Sequence, residues 1–180
     1  MVNFKSRTLV LSASLLVLLF GMSTVEAASS ATINVTVTIQ NLSVSASGPI
    51  AFGMVTASSS TVSSGASNVV NDGNTTETYS LNLTNPGGWT AVQAAPGAEQ
   101  YCLSAELNVA SPSGGSFTYA NHALTTTPVV CTGTKFAGDQ TGVSVPVSGA
   151  RNLWLKFEAP VSTSVTTQQT IVVTVTATAG

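Results

Sequence analysis

A single histidine, His122, is the side chain that could act as a general base for one of the many serines in this 180-residue chain. A hydrolytic triad needs that base beside a serine held on a sharp turn, and the sequence contains no Gly-x-Ser-x-Gly motif. The residues around His122 are typical of a turn. We therefore predict a histidine exposed on a loop, no catalytic residue and no enzyme activity.

Two pairs of acidic residues could do other chemistry. Glu99 and Glu106 would suit glycoside hydrolysis if they faced one another. However, Glu106 alternates with the apolar residues of a predicted strand, which indicates a solvent-exposed glutamate. Asp72 and Glu77 could bind calcium from a loop, but an isolated acidic turn is more often only a turn. We predict no metal site and no cofactor.

Trp154 lies between Leu153 and Leu155 in an alternating stretch, so its ring should point away from the apolar face that they share. An outward tryptophan could be a contact between subunits or a platform on which a sugar ring stacks. Alternatively, loops cover both faces of this strand and Trp154 belongs to the core. The sequence leaves these three alternatives open.

Residues 1–27 have the three parts of an export signal. Lys5 and Arg7 form a cationic start, residues 9–20 form an apolar run, and a small-residue cleavage site follows. The apolar run is about a dozen residues long, which is too short for a membrane span. We expect export of a mature chain that starts at residue 28 and works outside the cell or at its surface. The periplasm is an alternative location.

Cys102 and Cys131 are the only cysteines of the chain. An even number of cysteines in an exported protein predicts a disulfide. A bond between these two would close a loop of about 30 residues and stabilise the fold by about 3 to 4 kcal/mol. A metal site would need more ligands than two thiols and one histidine.

Charge is scarce in the mature chain. Three cations stand against six carboxylates after residue 27, which gives a net charge of −3. So few cations cannot neutralise a row of phosphates, which excludes nucleic acid and anionic membranes as partners. Serine and threonine supply the polar surface instead. Such a surface suits packing against copies of the same protein.

Apolar and polar residues alternate from Thr32 to the end of the chain, which predicts β-strands. The predicted strands are 32–46, 50–56, 61–70, 75–84, 89–93, 100–109, 116–119, 123–131, 143–147, 151–158 and 169–178. Short antiparallel strands with one apolar face bury it by packing two sheets together. We predict an all-β fold, a single immunoglobulin-like antiparallel β-sandwich at 28–180, with a barrel or a jelly roll as the alternative.

Three stretches carry a resemblance to a known family: GPIAFGMV at 48–55, NDGN at 71–74 and YSLNL at 79–83. NDGN also predicts a hairpin, because Asn, Asp and Gly tolerate the positive φ of tight reversals. Together the three resemble the signature of bacterial surface immunoglobulin-like modules related to Hydin-type domains, over about residues 48–84. The resemblance implies a β-sandwich that serves as a structural or binding module, and it does not extend to 101–180.

The segment at 28–46 begins the mature chain with a regular alternation. Its apolar face consists of Ile33, Val35, Val37 and Ile39. Such a segment could act as an exchangeable strand that completes the sandwich of a neighbouring subunit, since strand addition uses main-chain hydrogen bonds for affinity. The sequence favours the alternative that this strand pairs within its own chain, beside 169–178.

These observations predict a non-enzymatic extracellular structural protein, a subunit of a surface fibre or layer that associates with itself. The alternative is a secreted carbohydrate-binding or adhesive module, with a cell-wall glycan as its ligand and Trp154 as its platform. No attachment to the membrane is expected after the signal is removed.

Overall fold

The computed structural model describes residues 30–180. The predicted signal peptide at 1–27 lies outside these residues. The chain divides into one unit that ends at Thr38 and a compact unit at Ile39–Gly180. Within residues 30–180, no helix is both long enough and apolar enough to cross a membrane.

The regular secondary structure of the compact unit is almost entirely β-strand, because its apolar residues recur at every second position. Its elements in chain order are β1 (Val44–Ala46), β2 (Ser60–Val62), β3 (Ser67–Asn71), β4 (Glu77–Thr84), β5 (Thr90–Ala91), β6 (Gln100–Leu107), α1 (Tyr119–His122), β7 (Val129–Val130), β8 (Ala150–Glu158) and β9 (Val172–Ala179). The predicted all-β class is confirmed.

The strands form two sheets. The larger sheet has the order β1-β3-β8-β6-β5, with β2 also paired to β8, and the smaller has the order β7-β4-β9. The pairs are antiparallel except β5 with β6, which is parallel and departs from the predicted antiparallel pattern. β3 and β4 follow one another in the chain but belong to different sheets. The predicted hairpin at 71–74 is therefore a crossing between sheets.

The core lies between the two sheets. Its largest contributions come from the inward-facing residues of β4, β6 and β8, which are Tyr79, Leu81, Leu83, Leu103, Ala105, Leu107, Leu153, Leu155 and Phe157. The ring centroid of Phe157 is 5.6 Å from that of Phe52, 6.0 Å from Trp89 and 5.9 Å from Tyr101. Burial of each large apolar side chain contributes about 1.5 to 3 kcal/mol.

Several of the predicted strands differ from the structure. The stretch at 61–70 divides into β2 and β3, 123–131 forms a strand only at β7, and 143–147 contains no strand but an isolated bridge at Val145. Over 32–46 a strand forms only at Val44–Ala46, and no strand forms over 50–56. The stretch at 116–119 leads into α1 instead of pairing. Alternation predicts which side chains can share a face, but a strand also needs a neighbour for its backbone N–H and C=O groups. That neighbour is supplied by the fold and not by the local pattern.

Candidate functional site

A row of exposed apolar side chains precedes β1. Ile33, Val35, Val37 and Ile39 are 85%, 80%, 77% and 76% exposed, and residues 30–43 form no strand. We refer to residues 32–40 as the N-terminal segment. It contains no charged residue, no proline and no glycine, which is the composition of a segment ready to pair as a strand. Soluble monomers seldom expose a contiguous apolar row, so this face is the candidate site for a partner.

Asn74 holds the backbone at the end of the N-terminal segment. Its side-chain amide donates a hydrogen bond to the carbonyl of Ile39 (2.8 Å), and its side-chain carbonyl accepts one from the N–H of Asn41 (2.8 Å). The backbone N–H of Asn74 donates to the carbonyl of Asn41 (3.1 Å). The turn between β3 and β4 was predicted only as a reversal. In the structure it also anchors the chain that comes before β1.

Glu77 continues this anchor into the interior. Its side chain is fully buried, and its Oε1 accepts a hydrogen bond from the N–H of Ser43 (2.7 Å). Among the described residues, Glu77 Oε2 and Tyr79 Oη are buried and have no hydrogen-bond partner. Burial raises the pKa of Tyr79 to about 12, and the nearby Glu77 contributes to that rise. Asp72 is exposed whereas Glu77 is buried, so the two acids considered as a calcium site lie in different environments.

His122 is buried, whereas the sequence predicted an exposed loop histidine. It lies in α1, where its Nδ1 accepts a hydrogen bond from the N–H of Thr118 (2.9 Å) and its Nε2 faces the carbonyl of Ala137 (3.3 Å). The ring also packs edge-on against Phe117, with centroids 5.9 Å apart. Both ring nitrogens are used within the fold, so this geometry supports a structural role.

Glu99 and Glu106 do not form a pair. Glu106 follows Glu99 by seven residues along β6, about 23 Å of extended chain at ~3.3 Å per residue, whereas glycosidase carboxylates lie about 5 to 9.5 Å apart. Glu99 accepts hydrogen bonds from the hydroxyl of Thr163 and the N–H of Ser164, and these bonds lower its pKa.

The predicted exposure of Glu106 is wrong, because the side chain is 4% exposed. Its Oε2 accepts a hydrogen bond from the hydroxyl of Ser116 (2.6 Å). Ser116 precedes α1 and Gly138 follows it, and both lie against the Glu106 carboxylate, so the loop that contains α1 covers the outer face of β6. Alternation placed Glu106 on the correct face of its strand, but the covering loop buries that face too.

Cys102 and Cys131 are free thiols, so the structure does not contain the predicted disulfide. Cys131 belongs to the core cluster between the sheets. Leu103 points into that core, so the preceding residue, Cys102, points to the opposite face of β6. On that face the Sγ of Cys102 lies 3.7 Å from Ser104 Oγ. The backbone of β6 therefore separates the two thiols. Burial raises the pKa of Cys102, and it raises that of Cys131 to about 12.

Trp154 is half-buried on the outer face of β8. It pairs across the strands with Glu106, and its Nε1–H donates a hydrogen bond to the carbonyl of Asn108 (2.9 Å). Its predicted outward direction agrees with this position. The ring is neither fully exposed nor part of the core between the sheets, which leaves part of it available for contact.

No metal site or relative adds to this description. In the part of the chain that the structure describes, no three His, Cys, Asp or Glu side chains group together as metal ligands. Comparison with protein-family models, curated proteins and solved structures finds no match for this chain.

Proposed function

We propose that this protein is a non-enzymatic structural subunit that is exported and associates with copies of itself in a surface fibre or layer. The observation that carries the proposal is the exposed apolar face of the N-terminal segment, whose four apolar side chains are 76% to 85% exposed. Leaving such a row in water costs free energy in proportion to its apolar area, so association that covers it is favourable.

The compact unit supplies the second part of the support. Its two packed sheets are consistent with an immunoglobulin-like β-sandwich, which we include in the proposal as the scaffold of the subunit. The side chains that could have formed a hydrolytic site are engaged in the fold: His122 uses both ring nitrogens, and Glu106 accepts from Ser116. A scaffold of this kind can function through its surface alone.

The low charge of the chain agrees with self-association. The whole sequence has only five cations and seven carboxylates in 180 residues, so copies of the subunit repel one another weakly. The alternative function, a carbohydrate-binding or adhesive module, depends on Trp154. Because that ring is half-buried and its N–H is already bonded to Asn108, it offers less surface for stacking than a fully exposed ring.

The experiment compares three variants of the exported full-length chain by light scattering and negative-stain electron microscopy. Wild type should form assemblies whose mass grows with concentration. Val35→Asp and Val37→Asp should abolish them, because each puts a charge on the apolar face. Thr36→Asp, the matched control, puts the same charge on the polar face and should still assemble.

Two results would contradict the proposal. One is a wild type that stays monomeric at high concentration in native salt, and the other is normal assembly by both apolar-face variants. A glycan array tests the alternative function on the same samples. Binding by wild type that is lost in Trp154→Ala would favour the carbohydrate-binding module instead.

A further inference from the structure

The four strands at the ends of the two sheets differ greatly in length. β1 has three residues and β5 and β7 have two each, whereas β9 has eight. Proteins protect sheet edges from unwanted pairing by keeping them short or by adding charges, proline or bulges. β9 has the sequence VVTVTATA, with none of these residues. It is the one long, unprotected edge among the described residues.

Hydrogen bonding shows which backbone groups of β9 face outward. The N–H of Gly180 donates to the carbonyl of Thr76 (2.9 Å), and the pairing continues in register with Tyr79 opposite Ala177. Tyr79 uses its own N–H and C=O on the other side, toward Gly142 and Cys131. Because antiparallel pairs alternate between bonded and non-bonded, alternate residues of β9 point their N–H and C=O to the free edge. These residues are Val173, Val175, Ala177 and Ala179.

The inner face of β9 is also incompletely covered. Leu81 and Leu83 of β4 are 2% and 1% exposed. Their partners across the pair, Val175 and Val173, are only half-buried, although they pack against the same core. The difference has a simple cause: β4 has a strand on each side and β9 has a strand on one side. One more strand beside β9 would cover these side chains and use the free backbone groups.

From this geometry we infer that the free edge of β9 accepts the N-terminal segment of a second copy of this chain. This inference rests on the proposed self-association and names its site. The N-terminal segment matches the edge in three ways: its apolar residues repeat every second position, its backbone forms no strand of its own, and it carries no charge. Its apolar face would lie over the core beside Val173, Val175 and Ala177.

The pairing should be restricted to registers that keep the same face of the segment toward the core. A shift by one residue would turn all four apolar side chains of the segment to solvent and its threonines to the core, so only shifts by two preserve burial. Main-chain hydrogen bonds would then supply affinity and the alternate apolar side chains would supply register. A chain that carries both the segment and the acceptor edge can continue such contacts from copy to copy, which produces a fibre.

A first test removes one backbone donor from the free edge. Ala177→Pro deletes an N–H that β4 does not use, and proline is tolerated on that side of an edge strand. Assembly of the full-length chain should be lost while the circular dichroism spectrum keeps its β-sheet shape. Ala177→Ser, the matched control, keeps the N–H and should assemble as wild type does. A folded Ala177→Pro variant that assembles normally would overturn the inference.

A second test does not depend on the stability of a variant. Thr176 and Val130 flank the same residue, Ser80, from opposite edges of the smaller sheet, so Thr176→Cys and Val130→Cys are matched positions. Each is mixed with Thr36→Cys and treated with a short bifunctional thiol reagent, and the products are mapped by mass spectrometry. We expect an intermolecular link between residues 36 and 176 and none between 36 and 130.

Each other product of this test overturns the inference. A 36–130 link would put the acceptor at the opposite edge, and a 176–176 link would indicate direct pairing of two β9 edges. Assembly of the mixed variants without a 36–176 link would show that the segment does not lie beside β9 of another copy. If wild type assembles and Val35→Asp does not, any of these results leaves the proposed self-association standing and removes only the β9 site. A monomeric wild type removes both.

Discussion

The side-chain amide of Asn74 donates a hydrogen bond to the backbone carbonyl of Ile39, 35 residues earlier in the chain, at 2.8 Å. The same side chain accepts from the N–H of Asn41 at 2.8 Å. One turn residue therefore fixes both ends of a short backbone stretch. That stretch begins at the last residue of the apolar face of the N-terminal segment, so Asn74 limits the freedom of the chain at the end of the candidate site.

We predict that Asn74→Ala speeds hydrogen exchange at the amide of Asn41 and lowers stability by about 1 kcal/mol, since two exposed hydrogen bonds are lost. Asn74→Asp keeps the acceptor for Asn41 and loses only the donor to Ile39, so the amide of Asn41 should stay protected. Native-state hydrogen exchange measures both. Equal protection in wild type and Asn74→Ala would show that the side chain does not anchor the backbone.

Two core tyrosines should respond oppositely to loss of their hydroxyl groups. Tyr79 Oη is buried without a partner, whereas Tyr101 Oη donates to the side-chain oxygen of Asn85 (3.0 Å). Tyr79→Phe removes an unsatisfied buried group and should raise stability by about 1 to 3 kcal/mol, and Tyr101→Phe should lower it by about 1 kcal/mol. Urea unfolding of the two variants beside wild type measures both changes. A loss of stability in Tyr79→Phe would mean that its hydroxyl has a partner.

The two thiols should be protected in the native protein and free after unfolding. Burial raises the pKa of Cys131 to about 12, so the reactive thiolate is scarce at neutral pH, and burial also raises the pKa of Cys102. A thiol reagent at about pH 8 should label neither cysteine in the folded protein and both in denaturant without reductant. An intact mass lower by two protons, with no labelling in denaturant, would instead indicate a disulfide.

Glu99 should make stability depend on pH in the acidic range. The hydroxyl of Thr163, and then the N–H of Ser164, hold the pKa of Glu99 below its ordinary value. A carboxyl whose pKa is lower in the folded state contributes stability above its unfolded pKa, and this contribution is lost as pH falls through the folded value. Tm measured from about pH 6 to pH 3 should therefore fall less steeply in Glu99→Gln than in wild type.

Thr163→Val is the companion variant, because it removes the largest cause of that shift. The Glu99 pKa, followed by NMR titration, should rise toward its ordinary value in this variant. An unchanged titration in Thr163→Val would show that the hydroxyl does not stabilise the carboxylate. Parallel pH profiles for wild type and Glu99→Gln would show that the carboxylate has no effect on folding.

Much of the fold follows from local patterns. The predicted strands 75–84, 100–109 and 151–158 agree closely with β4, β6 and β8, because alternation over eight or nine residues is a strong local signal. The apolar residues within β4, β6 and β8 also face the core as predicted, whereas Val109, just beyond β6, is exposed. The same alternation identified Ile33, Val35, Val37 and Ile39 as one face of a candidate inter-subunit strand.

Other features depend on what packs against a residue. Glu106 and His122 are buried because a loop covers the outer face of β6, and the loop's path depends on contacts between residues distant in sequence. The cysteines were counted correctly from the sequence. However, whether two thiols can meet depends on which side of a strand each one occupies. The turn at 71–74 was recognised by its residues, but the sheet that the chain enters next is a property of the whole fold.

The N-terminal segment shows most clearly the difference between features that local sequence encodes and features that depend on the whole fold. Alternation is encoded in consecutive residues, so an apolar face at 33–39 could be read directly from the sequence. Pairing, in contrast, needs two strands. Among the described residues, residues 30–43 form no strand, and β9 has a neighbouring strand on one side only. Only the tertiary structure could reveal this, because backbone hydrogen bonds join groups whose separation in space is unrelated to their separation in the chain.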